Sequence, residues 1–390
     1  MTKQFDETTP VVLMFHARYR TLGGEERSFD EEASLLEVIG FRVERFELSN
    51  TDLRSNFLSA IGSIFNPIVF IKALRKMRRS NPKFVYVNNL WPALSPAVLW
   101  AARICNIPTL QALRNYRIVC PSGKLTNEGN CLNCGAFTFP FKCIARGCYN
   151  HSRIQTALVS LFSWNVRISN ARRRNHAYLA TSATTRDLLV RHGISSDRIR
   201  IRHNFLASFV EPSFDIGSGV IYVGRLSEEK GIAEIISSWI EIKDAPLLTL
   251  VGDGPLADIA RRASNDEASN IRWLGIQPAS AVLNLLKASS LSIVPSQWAE
   301  PFGRAAIESM SVGTPVIHTN GGALTEIVGD TGILLNDLTS PSVSRALGVI
   351  EDHLQLTELR RRAFERYYAS YSRIAATEDI RQHIEAVVEN

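Results

Sequence analysis

The stretch GVIYVGRLSEEKG, Gly219–Gly231, passes from an apolar run rich in Val and Ile to a polar loop that precedes a helical segment. Such residues favour a buried strand, and the glycine after the run marks the strand's end. Further β-rich runs continue the pattern, most of them separated by helical segments: PLLTLVGDG, IRWLG, LSIVPS, TPVIHTN and TGILL. Alternating β and α segments predict a parallel sheet with helices on both faces.

The N-terminal half carries an equivalent series. Its strand-like runs alternate with helical patterns and are VVLMF, FRVERFEL, KFVYVNN, IPTLQAL and YLATS. Two such series predict an α/β protein with two Rossmann-like domains that face each other across a cleft, with ligands at the carboxyl ends of the strands. We expect residues 1–210 to form the first domain and residues 211–370 the second.

Composition and charge limit the class of protein. The hydrophobic fraction of 45% and the charged fraction of 21% are typical of a soluble globular protein. Residues 1–210 hold 29 Lys and Arg against 14 Asp and Glu, whereas the remainder holds 15 against 24. A basic half suits an anionic partner such as nucleic acid, phospholipid headgroups or a phosphorylated substrate. The N-terminal residues lack the features of a signal peptide, which predicts a cytoplasmic protein.

Two cations follow the strand of the opening stretch. Gly224 ends the strand, Arg225 comes next, and Lys230 lies just before the helical segment. Arginine can bond phosphate through a planar fork, and lysine supplies a compact charge. Near the N-terminus of a helix these side chains predict an anion site.

Two carboxylates lie in the segment SQWAEPFGRAAIESM. Glu300 is in a loop after the run LSIVPS, and Glu308 is on a helix expected to start near Phe302. If the whole interval is helical, the carboxylates lie roughly 12 Å apart, too far for the acid and base of a glycosidase. Carboxylates accept hydroxyl hydrogen bonds, so one suits a sugar and the other a ribose. Gly303 would let backbone amides approach the ligand.

With these segments in place, the chain resembles a retaining GT-B glycosyltransferase of family 4. The resemblance rests on the GGEE loop, VGRLSEEKG, VGDGPL, WLG, the E-x7-E segment and the NGG that follows it. It implies that Arg225 and Lys230 bind the donor diphosphate, that Glu300 contacts the transferred sugar and that Glu308 holds the ribose. It also implies further donor-binding positions: Gly23, Gly24, Asn204, Gly224, Phe302 and Gly303.

The resemblance further implies a mechanism without a catalytic cofactor. The donor would be a UDP- or GDP-sugar, and retention would proceed by front-face attack, with the leaving phosphate accepting the acceptor's proton. The sequence contains no Asp-x-Asp, the motif that clamps a metal-bound diphosphate in the other major glycosyltransferase fold. Many relatives carry His at the positions of Asn88 and Arg114. Arg114 and Asn115 are expected on the acceptor side, although an arginine is a poor general base.

The acceptor should meet the basic N-terminal domain. The stretch FLSAIGSIFNPIVFIKALRKMRRS, residues 57–80, joins apolar residues to several cations, as in a helix that lies on an anionic membrane surface. The resemblance implies a glycan or lipid-linked acceptor, cell-surface polysaccharide assembly and a place at the inner face of the membrane. It also implies that a helix in residues 371–390 crosses back to the first domain.

Five of the six cysteines lie in one stretch, with the spacing C-x10-C-x2-C-x8-C-x4-C. Such spacing suits tetrahedral zinc, and it also fits reduced cysteines without metal. In a cytosolic protein, reduced or metal-bound cysteines are commoner than disulfides. The resemblance includes a subset with a cysteine loop, which implies the ligands Cys120, Cys131, Cys134 and Cys148 around a structural zinc and leaves Cys143 out.

Two other functions fit parts of the sequence. A nonhydrolysing nucleotide-sugar epimerase can share the GT-B fold, although the E-x7-E segment and VGRLSEEKG favour transfer. A zinc-containing nucleic-acid-binding protein would explain the basic half and the cysteines. That class is disfavoured because the chain has neither interleaved aromatics on a basic strand nor a finger's helix with paired histidines. We therefore expect no nucleic-acid partner.

Overall fold

The protein consists of two compact units. The structure, a computed structural model, describes residues 8–19, 23–50, 57–125, 139–171 and 173–388. The first unit comprises residues 1–203 and 376–390, and the second comprises residues 204–375. Each unit contains one parallel six-stranded sheet with helices, so the prediction of two Rossmann-like α/β domains is confirmed.

The first sheet has the strand order β2-β1-β3-β4-β5-β6, with every neighbouring pair parallel. Its strands are β1 (Val11–Arg18), β2 (Arg42–Ser49), β3 (Phe84–Val87), β4 (Thr109–Leu113), β5 (His176–Ala180) and β6 (Ile199–Ile201). Five of the six overlap predicted runs. The sixth, β6, was not predicted; its sequence is Ile-Arg-Ile, with a charged residue at its centre. The strand order reverses between β1 and β3, where open α/β sheets bind ligands.

Helices cover this sheet. They are α1 (Gly24–Val38), α2 (Phe57–Ile64), α3 (Pro67–Ser80), α4 (Ala97–Ile104), α5 (Phe141–Arg146), α6 (Arg153–Asn170), α7 (Ala183–Arg191) and the last helix of the chain, α15 (Arg373–Val388). The residues of α15 from 376 onward belong to the first unit. Strands β3, β4 and β5 are buried along their whole length, as expected for a sheet covered on both faces.

The stretch expected to form one amphipathic helix over residues 57–80 forms two. Asn66 lies between α2 and α3, and its side chain accepts hydrogen bonds from the backbone nitrogens of Ile68 (3.0 Å) and Val69 (3.1 Å). Pro67 then occupies the first turn of α3, where its missing N–H costs nothing. The Asn-Pro pair therefore ends one helix and caps the next.

The second sheet has the order β12-β11-β10-β7-β8-β9 and is also parallel throughout. Its strands are β7 (Val220–Val223), β8 (Leu248–Val251), β9 (Ile271–Trp273), β10 (Leu291–Val294), β11 (Val316–Thr319) and β12 (Ile333–Leu335). Each lies within one of the six predicted runs. Here the order reverses between β7 and β10.

Seven helices are described around the second sheet. They are α8 (Ile232–Glu241), α9 (Ala257–Asn265), α10 (Ala279–Ala288), α11 (Arg304–Met310), α12 (Leu324–Val328), α13 (Ser340–Leu347) and α14 (His353–Tyr371). The guanidinium of Arg360 on α14 is fully buried and donates to backbone carbonyls, including those of Ser213 and Ser289. These bonds fasten α14 to the segment that precedes β7 and to the end of α10. In the part of the chain that the structure describes, no helix has the length and apolar character needed to cross a membrane.

Candidate functional site

In the second unit, the loops after β7, β10 and β11 converge on Glu300. The backbone nitrogen of Gln297, in the loop after β10, donates to the carbonyl of Glu229 in the loop after β7 (3.0 Å). The nitrogen of Ala323, after β11, donates to the carbonyl of Glu300 (2.8 Å). Because β7 and β10 flank the reversal of strand order, these loops lie where ligands bind in such sheets.

Two glycines permit this close packing. Gly231 has a φ of +68°, and a Cβ there would clash with the carbonyl oxygen of Pro295. Gly322 has a φ of +61°, and a Cβ there would clash with the backbone of Glu300. Both positions need left-handed backbone and lack room for a side chain, so only glycine fits them.

The carboxylate of Glu300 is held by three donors. Glu300 is 8% exposed, and its Oε2 accepts from Lys230 Nζ, from Ser296 Oγ (3.1 Å) and from Trp298 Nε1 (2.9 Å). Lys230 Nζ also lies 5.4 Å from the centre of the Trp298 ring. The structure thus brings together Lys230 and Glu300, two of the three predicted catalytic residues. Sequence reasoning assigned nothing to Trp298, although it lies inside the segment that carries Glu300.

Arg225, the third predicted catalytic residue, is exposed, and within the described ranges its side chain forms no hydrogen bond or ion pair. Its carbonyl accepts a hydrogen bond from the hydroxyl of Tyr222 on β7 (2.8 Å). Burial, with the nearby charges of Glu300 and Glu229, raises the pKa of Tyr222. Tyr222 is therefore a permanent donor that fixes the turn at Arg225 while the cation itself extends into solvent.

The second predicted carboxylate lies on α11. This helix begins at Arg304, so only the latter part of the interval from Glu300 to Glu308 is helical, and the estimate of roughly 12 Å rested on a helix that starts too early. Glu308 is buried and accepts from Arg304 Nε (3.0 Å). Gly303 caps the helix with a φ of +93°. The ring of Phe302 packs in the core against Tyr371, which leaves its backbone as the part available to a ligand.

The remaining predicted donor residues are spread over both units. Gly224 directly follows β7, and Asn204 is buried at the start of the second unit. In the first unit, Gly23 caps α1 and Gly24 is the first residue of that helix. Both glycines are exposed, as a loop that meets a ligand requires. The three positions before Gly23 lie outside the described residues.

The first unit has a pocket at the carboxyl ends of β3 and β4, lined by residues that include Glu25, Asn88, Arg114 and Asn115. Arg114 Nε donates to Asn88 Oδ1 (2.8 Å), and Asn115 Nδ2 donates to Glu25 Oε1 (2.9 Å). The structure therefore places both predicted acceptor-side residues in one pocket. Their hydrogen bonds fix the pocket wall.

A buried histidine, His16, forms a hydrogen bond with Asn88 in this pocket wall. His16 Nδ1 accepts from Asn88 Nδ2 (3.0 Å), and His16 Nε2 donates to Glu26 Oε2 (2.8 Å). Burial lowers the pKa of His16, although Glu26 acts in the opposite direction. A neutral ring protonated on Nε2 satisfies both bonds, and it turns the Asn88 carbonyl toward Arg114. Sequence analysis gave His16 no role, because its partners are distant in the chain.

The same network reaches the last helix. Glu32 Oε2 on α1 accepts from Arg202 Nη2 (3.0 Å), and Glu32 Oε1 lies 3.8 Å from Arg114 Nη2. Arg202 Nη1 donates to Asp379 Oδ2 on α15 (3.1 Å). Glu32 and Arg202 are almost completely buried. The pocket wall, α1 and α15 are thus joined by one set of ion pairs, two of which are also charged hydrogen bonds.

The predicted zinc ligands are described only in part. Cys131 and Cys134 lie outside the described residues, whereas Cys120 is buried, with its Sγ 3.1 Å from Ser122 Oγ, and Cys148 is partly buried. The ligand set stays a prediction. Cys143 is disulfide-bonded, which differs from the expectation of reduced or metal-bound cysteines. Crowding of five cysteines into one stretch favours such a bond.

Comparisons with known proteins find similarity to glycosyltransferases. The family model for glycosyl transferases group 1 matches residues 212–368. A glycogen synthase of Mycobacterium tuberculosis is 31% identical over 153 residues, 37% of this chain and 36% of that protein. A GDP-mannose-dependent alpha-(1-6)-phosphatidylinositol dimannoside mannosyltransferase of the same species is 35% identical over 119 residues, 29% of this chain and 30% of that protein. The chain thus matches about a third of the length of these curated relatives.

Solved structures resemble nearly the whole chain. HepE of Anabaena, in complex with UDP, has a TM-score of 0.67 at 16% identity, with coverage of 97% of this chain and 100% of that one. A sucrose-phosphate synthase from Thermosynechococcus elongatus has a TM-score of 0.70 at 16% identity, with coverage of 97% and 99%. These likenesses show the GT-B fold. Together, the fold and the group 1 match of the second unit support the GT-B glycosyltransferase superfamily.

Proposed function

We propose that the chain transfers a sugar from a nucleotide-diphosphate-sugar donor to a glycan or lipid-linked acceptor, with retention of configuration. The observation that carries the proposal is the partly buried contact between Lys230 and Glu300 at the reversal of strand order, inside the segment that matches glycosyl transferases group 1. The HepE structures hold UDP and UDP-glucose, and the mannosyltransferase relative is GDP-mannose-dependent. We infer a UDP- or GDP-sugar donor and a role in cell-surface polysaccharide assembly.

Each side chain has a distinct task in this proposal. Lys230 and Arg225 stabilise the negative charge that grows on the leaving diphosphate, without a metal ion. Donor phosphate oxygens would then compete with Glu300 for the Lys230 ammonium. The Glu300 carboxylate, still held by Ser296 and Trp298, would accept hydroxyl hydrogen bonds from the sugar. Glu308 would hold the ribose.

Retention follows in the proposal from attack on the face that the diphosphate leaves. The bond between the anomeric carbon and the phosphate oxygen breaks, and the acceptor oxygen bonds to the same face of that carbon. The acceptor hydroxyl proton passes to the departing phosphate oxygen, so no protein base is required. Arg114, which is always protonated, need only orient the acceptor.

A ligand screen followed by three variants tests the transferase proposal. UDP, GDP and their sugars are added singly, and the matching nucleotide should raise the unfolding temperature. With that donor and a panel of glycan acceptors, Lys230→Ala and Glu308→Ala should each abolish transfer while the fold persists. The exposed Lys243→Ala in the same unit is the matched control.

Three results would contradict the proposal, in whole or in part. Unchanged turnover in Lys230→Ala or Glu308→Ala would remove the assigned donor site. An epimer of the sugar nucleotide that forms without any acceptor would identify an epimerase instead. Inversion at the anomeric carbon, read by NMR of the product, would leave transfer in place and overturn retention.

We also propose that the first unit docks on an anionic membrane surface. Helix α3 turns Val69, Ala73 and Met77 inward. Its other side exposes apolar residues and cations together, with Ile68 65% exposed: Ile68, Ile71, Lys72, Arg75, Arg78 and Arg79. Apolar insertion and attraction to acidic headgroups act together in such helices.

Vesicle sedimentation tests this docking. The chain should sediment with vesicles that contain phosphatidylglycerol, more weakly with phosphatidylcholine alone, and salt should release it. Ile68→Ser with Ile71→Ser should weaken binding, whereas the exposed Ile374→Ser on α15 should not. Equal binding of the double variant would contradict the assignment of this face.

The zinc proposal concerns structure rather than catalysis. Four thiolates, from Cys120, Cys131, Cys134 and Cys148, would close a tetrahedral site and leave no position for substrate. Near-stoichiometric zinc in the purified chain would support it, and zinc-free protein of full stability would contradict it.

A further inference from the structure

Arg117 lies in the acceptor-side pocket and has a fixed backbone. Its nitrogen donates to Asn115 Oδ1 (3.0 Å), and its carbonyl accepts from Ser163 Oγ on α6 (2.6 Å). These bonds tie the turn after β4 to the helix behind it. The direction in which the side chain leaves the backbone is therefore set by the fold.

The guanidinium of Arg117 occupies an aromatic corner. Its Cζ lies 5.6 Å from the ring centre of Trp91 and 5.6 Å from that of Tyr149. The two rings are 6.3 Å apart and nearly perpendicular, so they cannot enclose the guanidinium between parallel faces. Cation–π contacts with both rings therefore hold the guanidinium in place. Such contacts do not replace the hydrogen bonds that the guanidinium N–H groups can donate.

Two of the three guanidinium nitrogens of Arg117 carry unsatisfied N–H groups. Nε and Nη1 of Arg117 are buried and find no hydrogen-bond partner in the described part of the chain. No carboxylate of the described residues lies within ion-pairing distance either, whereas the neighbouring Arg114 has Glu32 at 3.8 Å. A desolvated cation without an acceptor is costly, and an anionic ligand would remove that cost.

The surroundings favour a small oxyanion. Arg114 and Arg117 line the same pocket, and its one carboxylate, Glu25, already accepts from Asn115. The pocket therefore carries an excess of positive charge. A Cβ at Gly123 would lie 3.3 Å from Arg117 Nη2, so the beginning of the cysteine stretch packs against the guanidinium. This contact allows the cysteine stretch to shape the pocket.

We propose that Arg117 is the centre of an oxyanion subsite, and that the acceptor is a sugar carrying a phosphate or a carboxylate. Arginine donates two parallel hydrogen bonds to either group. The assignment to an acceptor rests on the proposed transfer reaction, whereas anion binding at Arg117 can be measured without it. Trp91 and Tyr149 position the guanidinium.

Calorimetry with glucose 6-phosphate, glucuronate and glucose tests the subsite. The full chain carries Lys230→Ala throughout, so that the donor site does not contribute. At least one acidic sugar should bind about tenfold or more tightly than glucose. Arg117→Gln should abolish that preference, and the control Arg191→Gln, an exposed arginine at the end of α7, should keep it. The two acidic probes distinguish phosphate from carboxylate recognition.

If the Arg117→Gln chain does not fold, a second measurement tests the subsite without that variant. In the unsubstituted chain, the acidic sugar should protect Arg117 from phenylglyoxal, read by peptide mass spectrometry, and glucose should not. No preference for either acid, or equal preference after Arg117→Gln, would overturn the subsite. Binding of UDP or GDP by Arg117→Gln with Lys230 intact reports separately on the donor site, so failure of the transfer proposal is recognisable.

Discussion

The two sheets end in different kinds of polar structure. In the second unit, residues from compact sequence segments surround one carboxylate: Lys230 from VGRLSEEKG, and Ser296 and Trp298 from the segment of Glu300 itself. In the first unit, the partners are scattered along the chain. Glu32 meets Arg202, and that arginine meets Asp379 near the C-terminus. The proposed chemistry of the second unit is thus carried by short sequence segments, whereas the charged network of the first unit joins residues that are distant in the chain.

The difference has an energetic consequence. A buried charge that loses its partner destabilises the fold, because desolvation is no longer offset. The pocket of the first unit depends on several such charges, whereas the site around Glu300 in the second unit depends on close backbone packing at Gly231 and Gly322 and on an ion pair whose lysine, Lys230, is 25% exposed. We therefore expect substitutions in the first network to lower stability, and substitutions around Glu300 to lower activity.

The largest effect is expected for Arg202→Met. Arg202 is 3% exposed and Glu32 is 1% exposed, so the substitution leaves a buried carboxylate without its main partner and releases Asp379 on α15. The free energy of unfolding, measured with urea, should fall by about 3–5 kcal/mol. Adding Glu32→Gln should restore part of that loss, because the stranded charge is then removed.

A matched arginine lies in the second unit. Arg261 pairs with Asp258 on the surface of α9 and is 57% exposed, so Arg261→Met should change the free energy of unfolding by less than about 1 kcal/mol. Equal losses in Arg202→Met and Arg261→Met would contradict the contrast between the two units.

A smaller effect, on activity, is expected for Trp298→Phe. The substitution keeps a ring near Lys230 and removes the Nε1 donor to Glu300. Loss of a hydrogen bond to a charged group should lower donor turnover about tenfold, with little change in the unfolding midpoint. Trp298 is thus a positioning residue, which acts through the carboxylate.

Trp273→Phe is the matched control, because it also removes an indole N–H donor from the second unit. Trp273 Nε1 donates to the carbonyl of Gly252 (2.9 Å), and the Trp273 ring lies 5.3 Å from the Arg261 guanidinium. Trp273→Phe should therefore lower stability slightly and leave turnover per folded molecule unchanged. Equal loss of turnover in both variants would mean that Trp298 has no special relation to Glu300.

The same contrast explains what the sequence could predict. Periodicity located all strands of the second sheet, because each is a short apolar run between helical segments. Lys230 and Glu300 were found because each lies in a recognisable segment that follows a strand. Their mutual contact could not be predicted, since it depends on β7 and β10 being neighbours in the sheet.

The side-chain contacts that position the pocket residues of the first unit could not be predicted from the sequence. His16 lies on a strand that looks uniformly apolar, and its partners Glu26 and Asn88 come from a helix and another strand. A lone histidine in such a run is indistinguishable from a core residue by sequence. Arg117 was missed for a related reason, because the rings that hold it precede and follow the cysteine stretch.

The smallest expected effect is the dependence of stability on pH. Burial lowers the pKa of His16 and His176 in the first unit and of His318 in the second, and Arg198 and Arg173 lower that of His176 further. The unfolded chain takes up protons near pH 6.5, whereas His176 in the folded chain stays neutral, because its pKa lies well below the ordinary value. The stability that depends on the neutral ring is therefore present above pH 6.5 and is lost as the pH falls. His176 should contribute about 1 kcal/mol of loss between pH 7 and 5.5, and His16 and His318 should act in the same direction.

Hydrogen exchange read by mass spectrometry can follow the two units separately, and the first should lose more protection over this interval. His176→Gln should make the first unit less stable at pH 7 but less sensitive to acid, because one proton fewer is taken up on unfolding. His353→Gln, at an exposed position on α14, controls for the loss of a histidine. Acid sensitivity that stays the same after His176→Gln would contradict the assignment of the first unit's pH response to His176. The pKa of Asp379 is lowered despite its burial, by its bonds to His383 and Arg202, so this carboxylate acts only in more acidic solution.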